Sequence, residues 1–157
     1  MLFDIMEFHP AFFAGQNYLD CRDRNGTMSV RTYQVGSRKE PGHGLRLGAV
    51  RFLPRDVRKR DYARFNMFDV WTPVLAPSRK LLSWARGKEW SPKTRKLFFA
   101  RYEREMESQT DSRQMIQFIA KLGRRTPLSL GCYCADESLC HRSVLIKLVR
   151  KAQHATR

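Results

Sequence analysis

The chain has 157 residues, 42% of them hydrophobic and 29% charged, which suits one ordinary domain with a single core and is too short for two full ones. No window approaches the run of about eighteen apolar residues that a membrane span needs, and the mean hydropathy is -0.54, so a membrane span is excluded and no membrane partner is expected. Thirty Lys and Arg against fifteen Asp and Glu give a formal charge of +15 and a pI near 10.4; such a field attracts polyanions, which makes nucleic acid or a nucleotide the first partner class expected.

The N-terminus carries Asp4 and Glu7 where a secretory signal carries Lys or Arg, and has no small-residue cleavage site, so a cytoplasmic location is expected. In that compartment the four cysteines read as free thiols or metal ligands rather than disulfides. Residues 1–27 mix apolar and acidic positions without clear period. They read as an N-terminal extension, not native or poorly ordered, ahead of a single α/β domain over 28–157, and Met28 offers a second start.

From Ser29 to Val35 the chain alternates with period two, setting Val30, Thr32 and Gln34 against Arg31, Tyr33 and Val35, which predicts a half-buried strand. A turn over S-R-K-E-P-G-H-G follows. The short apolar run L-R-L-G-A-V-R-F-L, bounded by Gly44 and Pro54, predicts a second and central strand. Ser78 is placed to cap a helix carrying Leu81, Leu82 and Trp84 and ending near Gly87.

Ser91 followed by Pro92 is a stronger start signal, because the serine oxygen satisfies an orphan amide and proline at the first helical position loses no needed donor. The helix it opens runs to about Glu107, with Leu97, Phe98, Tyr102 and Met106 at helical spacing. Asp111 is the expected cap of a third helix bearing Met115, Phe118, Ile119 and Leu122 and stopping at Gly123. Pro127 to Cys132 reads as a strand, and Leu139 to Arg150 as a last helix with Val144, Leu145, Leu148 and Val149 inward. Strands alternating with helices predict an α/β fold: a small, mostly parallel sheet covered by helices.

Positive charge gathers mid-chain, with sixteen Lys and Arg against six acids between residues 46 and 105. The densest run is Arg55, Arg58, Lys59, Arg60 and Arg64. Phe52, Tyr62, Phe65, Phe68 and Trp71 are interleaved with it or just beyond, offering either core residues or faces on which a base or guanidinium stacks.

The chemically loaded segment is S-L-G-C-Y-C-A-D-E-S-L-C-H-R-S-V-L. It sets Cys132 and Cys134 at a strand end and Cys140 and His141 at a helix start, the edge of an α/β sheet where ligands bind. Three thiolates and an imidazole suit tetrahedral zinc on Cys132, Cys134, Cys140 and His141, although C-x-C and adjacent C-H are not the usual ligand spacings. Alternatively Cys140, near a helix N-terminus and beside His141 and Arg142, is a nucleophile with His141 as its partner, as in a rhodanese- or transferase-like enzyme. Against an oxyanion cradle stand Asp136 and Glu137 in the loop and the lack of an arginine six residues after Cys132 or Cys134. A third alternative is plain burial of Cys132 as a small apolar residue, with Asp136 or Ser138 capping the helix.

Three spaced segments, V-R-F-L-P-R-D-V-R-K, D-V-W-T-P-V-L-A-P-S-R-K-L-L-S-W and F-F-A-R-Y-E-R-E-M, together with the ending G-C-Y-C-A-D-E-S-L-C-H-R-S, resemble the DUF488 family near its YeaO-like branch over residues 28–150. The family's W-P-R-G-like turn falls on Leu53, Pro54 and Arg55, with Asp56 in place of glycine. Its second motif falls on Asp69, Trp71, Leu75, Ala76, Pro77 and Ser78, its third on Arg101, Tyr102 and Glu105, and its C-x-C…C-H-R-S ending on Cys132, Cys134, Cys140, His141, Arg142 and Ser143. The resemblance implies a compact α/β domain and no particular reaction.

The leading expectation is an anion-binding pocket between the turn from Pro54 to Arg58 and the loop from Cys132 to Ser143. There Arg55, Arg58, Arg142 and Ser143 would meet phosphate, and Trp71 or Tyr133 would stack on a base.

Overall fold

A computed structural model describes residues 30–155. The extension assigned to residues 1–27 and the alternative start at Met28 lie outside the described residues. Strands β1 (Val30–Gln34), β2 (Leu45–Gly48), β3 (Val70–Trp71) and β4 (Leu128–Cys132) form one sheet in the order β1-β4-β2-β3, every pair parallel. Helices α1 (Arg79–Arg86), α2 (Pro92–Ser108) and α3 (Thr110–Leu122) connect β3 to β4, and α4 (Arg142–Ala155) follows β4. Because all strands run one way, their carboxyl ends share one edge of the sheet.

The helices cover only one face. Val30, Leu47, Leu128 and Leu130 point from the strands into a core completed by Leu81 of α1, Phe98, Tyr102 and Met106 of α2, Ile116 and Ile119 of α3, and Leu145 and Val149 of α4. Right-handed parallel crossovers explain the asymmetry. The connection from β2 to β3 steps outward across the sheet and the connection from β3 to β4 steps back, so the two lie on opposite faces. Residues 49–69 therefore supply the second cover. They contain one turn of 3-10 helix, Lys59–Asp61, and no α-helix.

That second layer is thin. Phe68, Val50 and the strand residue Tyr33 pack with Val35, and rings lie directly on strand glycines. A Cβ on Gly131 would strike the Tyr33 ring, and one on Gly48 would sit 2.5 Å from Cδ1 of Phe68. Gly44 enters β2 at φ +57, a left-handed conformation that suits glycine, against the Pro127 backbone.

The sequence expectations for α1 and α2 hold: Ser78 Oγ accepts from Leu81 N, Ser91 Oγ accepts from Thr94 N, and Pro92 opens α2. Other details differ. The second strand stops at Gly48, since residues 49–53 leave the sheet to begin the covering loop, and β3, only two residues long, has no counterpart in the periodicity. Helix α3 is preceded by Gln109 with no side-chain cap, and Asp111 lies inside its first turn. Of the apolar residues placed on α2 and α3, Leu97 and Phe118 are 45% and 59% exposed, while Ile116 is buried on α3. The last helix begins at Arg142 rather than Leu139, because residues 133–140 form the loop that carries the thiols. No helix among the described residues is long and apolar enough to cross a membrane.

Gly48→Ala is expected to lower unfolding stability by about 1–3 kcal/mol, the usual range for overpacking a tight site. Urea denaturation of the purified variant measures it; an unchanged midpoint would show that the Phe68 ring does not press on β2.

Candidate metal centre

The thiol-rich segment starts where β4 leaves the sheet and ends where α4 begins. Cys132 is the last residue of β4 and Cys140 and His141 immediately precede α4; all three are buried, and Cys140 is 2% exposed. One ligand atom from each lies within 4.8 Å of the other two. Cys134, the exposed member, has its Sγ 3.8 Å from that of Cys132. The strand end and the helix start thus bring together the four residues that the sequence marked.

His141 is held from two sides. Its Nε2 lies 3.0 Å from the carbonyl of Ala49, just past β2. A carbonyl only accepts, so Nε2 carries a proton, and the other ring nitrogen, Nδ1, faces Cys140 Sγ 3.6 Å away. The ring also meets the edge of Tyr102 at 5.1 Å between centroids, and the Tyr102 hydroxyl donates to the Leu75 carbonyl at 2.7 Å. Imidazoles that ligate metals commonly have their second nitrogen fixed in this way.

The thiols are electrostatically distinct. Hydrogen bonds from Cys132 and Cys140, with help from the Arg142 charge, hold Cys134 well below the usual thiol range. The same bonds and burial push Cys132 up, while Cys140 is lowered through Cys132 and His141. Arg142 is 2% exposed, donates to the Cys134 carbonyl at 2.7 Å, and has no ion pair among the described residues. A buried guanidinium without a carboxylate favours negative charge nearby, and its charge is one of the causes that lower the Cys134 thiol.

The cluster forms part of a cleft of about 280 Å³. Residues 49–52 make one wall. Pro77, Leu82 and Ala85, the rings of Trp90 and Phe98, and Tyr133 and Leu139 make the rest, so the lining is almost wholly apolar. The cation in it is Arg51, whose Nε and Nη2 donate to the carbonyls of Pro77 and Ala76 at 2.9 and 2.6 Å. That guanidinium fork ties the wall together.

The other expected contacts are spread more widely. Arg55 and Arg58 are exposed and stand outside the cleft lining, so the cleft opens beside the segment just before their turn. Trp71 lies on the edge strand β3 and donates from Nε1 to the Val50 carbonyl at 2.7 Å. Tyr133 lines the cleft, its hydroxyl 3.3 Å from the Phe52 carbonyl. Ser143 Oγ donates to the Cys140 carbonyl at 2.9 Å, and Asp136 accepts from Ser138 rather than from α4.

Arg51, Trp90 and Phe98 are cleft residues that sequence reasoning missed; Arg51 was hidden because it fell inside the predicted second strand, which ends at Gly48. The family-like motifs around it are scaffolding. Asp69 accepts from Arg46 N at 2.8 Å, and Glu105 accepts from both the backbone and the hydroxyl of Ser78.

A family model, DUF488-N3a, described as the active DUF488-N3 subclade, matches residues 30–153. No curated protein and no solved structure matches the chain.

Tyr102→Phe removes the donor to the Leu75 carbonyl in a fully buried place. An unpaired buried acceptor costs about 1–3 kcal/mol, and chemical denaturation is expected to show a loss of that size. A neutral effect would mean that water replaces the hydroxyl.

Proposed function

The chain belongs to the DUF488-N3a family, and we propose that it uses this α/β frame to hold a metal ion, zinc by ligand chemistry, at the foot of an apolar cleft. The ligands are the sulfurs of Cys132 and Cys140, Nδ1 of His141, and Cys134 as the fourth. Three thiolates and an imidazole are a common zinc set. With zinc–sulfur bonds of about 2.3 Å, a tetrahedron spaces its sulfurs by about 3.8 Å. The 3.8 Å between Cys132 and Cys134 meets that spacing.

The observation that carries the reading is the convergence of three buried ligand atoms from two separate elements, with the second imidazole nitrogen already committed to Ala49. Bound zinc would stitch the end of β4 to the start of α4 and fix the loop that closes the cleft. It would also neutralise the thiolates beside buried Arg142. The anion expected between the arginine turn and the thiol loop finds little to bind in the cleft itself, since Arg51 is occupied with carbonyls.

Protein prepared without chelator is expected to contain about one zinc per chain by elemental analysis, and Cys140→Ser and His141→Asn to lose most of it. Because thiols and imidazole must be deprotonated to bind, affinity should fall as pH drops, and a strong chelator should lower the melting temperature. Folded, metal-free protein whose melting temperature ignores added zinc would overturn the reading.

The rival, a covalent mechanism on Cys140 with His141, uses the same atoms, and alkylation separates the two. Ligated thiolates resist iodoacetamide, so labelling is expected to be slow as purified and to rise after chelation, first at exposed Cys134. Fast labelling of Cys140 in untreated protein would favour the nucleophile.

A further inference from the structure

The covering loop of residues 49–69 has a second side. Its inner side packs through Phe68 on Gly48 and against Tyr33 of β1; the loop also carries Arg55, Arg58, Lys59, Arg60 and Arg64, all exposed. Among these cations stand two large rings that the core does not use, Phe52 and Phe65, each 47% exposed. The next strand adds Trp71, 42% exposed, on the edge of the sheet.

Phe52 and Phe65 each leave about half of their surface to solvent, on a layer whose inner side holds the buried Phe68. Their neighbours are guanidinium groups: Arg64 lies over the Phe65 ring at 5.7 Å and Arg79 over the Phe52 ring at 5.4 Å. Each pair combines a flat face with a positive fork, the two groups that a nucleotide's base and phosphate require. Local acids only partly offset the charge: Asp69 is engaged with Arg46, Asp61 lies 3.9 Å from Arg60, and Asp56 remains exposed.

We propose that this outer side of the loop binds single-stranded nucleic acid, with Phe52 and Phe65 stacking on bases and Arg55, Arg58, Arg60 and Arg64 contacting the backbone. Single strands are favoured over duplex because stacking needs unpaired bases, and the rings stand on a loop rather than on a helix shaped to enter a groove. The surface adjoins the cleft through Phe52, which lines it, but does not depend on the thiols.

The test is fluorescence anisotropy of a labelled twenty-nucleotide oligothymidylate with the full-length protein. Binding is expected to weaken strongly between about 50 and 200 mM salt, as counterion release requires. Phe65→Ala and Phe52→Ala should each weaken it about tenfold while leaving the salt slope unchanged, whereas Arg58→Ala and Arg60→Ala should reduce the slope by about one apiece. Circular dichroism and zinc content of each variant, expected at wild-type values, show that the fold persists. Binding that the phenylalanine variants leave intact, equal affinity for a duplex of the same length, or equal binding to anionic phospholipid vesicles would overturn the proposal in favour of general attraction of anions to a basic surface. No binding at 50 mM salt would overturn it outright.

Discussion

The arrangement of this protein turns on the imidazole of His141. It precedes α4, yet its Nε2 is tied to the Ala49 carbonyl beyond β2 and its ring rests against Tyr102 of α2. Ala49 in turn donates to the Gly131 carbonyl of β4. One side chain therefore joins the ends of two neighbouring strands, a helix of the covering layer and the start of the last helix. Cys140 is brought opposite Cys132 because its neighbour is anchored so, and the loop of residues 133–140 is held besides by Thr32 donating to Glu137, Tyr133 to the Phe52 carbonyl and Arg142 to the Cys134 carbonyl.

The resemblance-bearing motifs acquire a physical meaning from this centre. Ser78 and Glu105 hold α1 to α2, Tyr102 holds the segment before α1, and Arg51 clamps that segment to the chain leaving β2. Trp71 reaches from the edge strand to the Val50 carbonyl. These contacts set the cleft walls and never touch the thiols. These motifs build the frame, and the C-x-C and C-H pairs bring the candidate ligands together at its edge.

Much of this was legible in the residues. The Ser78 and Ser91 caps, Pro92 and Gly123 are local signals, and local signals placed three helices closely. The gathering of Cys132, Cys134, Cys140 and His141 followed from placing a strand end at Cys132 and a helix start close by, although that helix begins at Arg142, three residues later than expected. Hidden from the sequence was whatever depends on layers. Strand β3 is too short to show a period, and the loop of residues 49–69 covers a sheet face without helical spacing, so nothing in its pattern separates inward Phe68 from outward Phe65. Leu97 and Phe118 mislead for a related reason: on helices packed along one side, several apolar stripes fit the spacing and only tertiary contact selects among them. The arginines of the turn were expected in the pocket because charge was read without knowing that they lie on the outer side of that loop.

The most direct trial of the central claim is X-ray absorption at the zinc edge of the zinc-loaded protein. A shell of three sulfurs at about 2.3 Å and one nitrogen at about 2.0–2.1 Å is predicted, with Cys132→Ser losing one sulfur. A shell of oxygen and nitrogen alone, or a sulfur count indifferent to that substitution, would contradict the account.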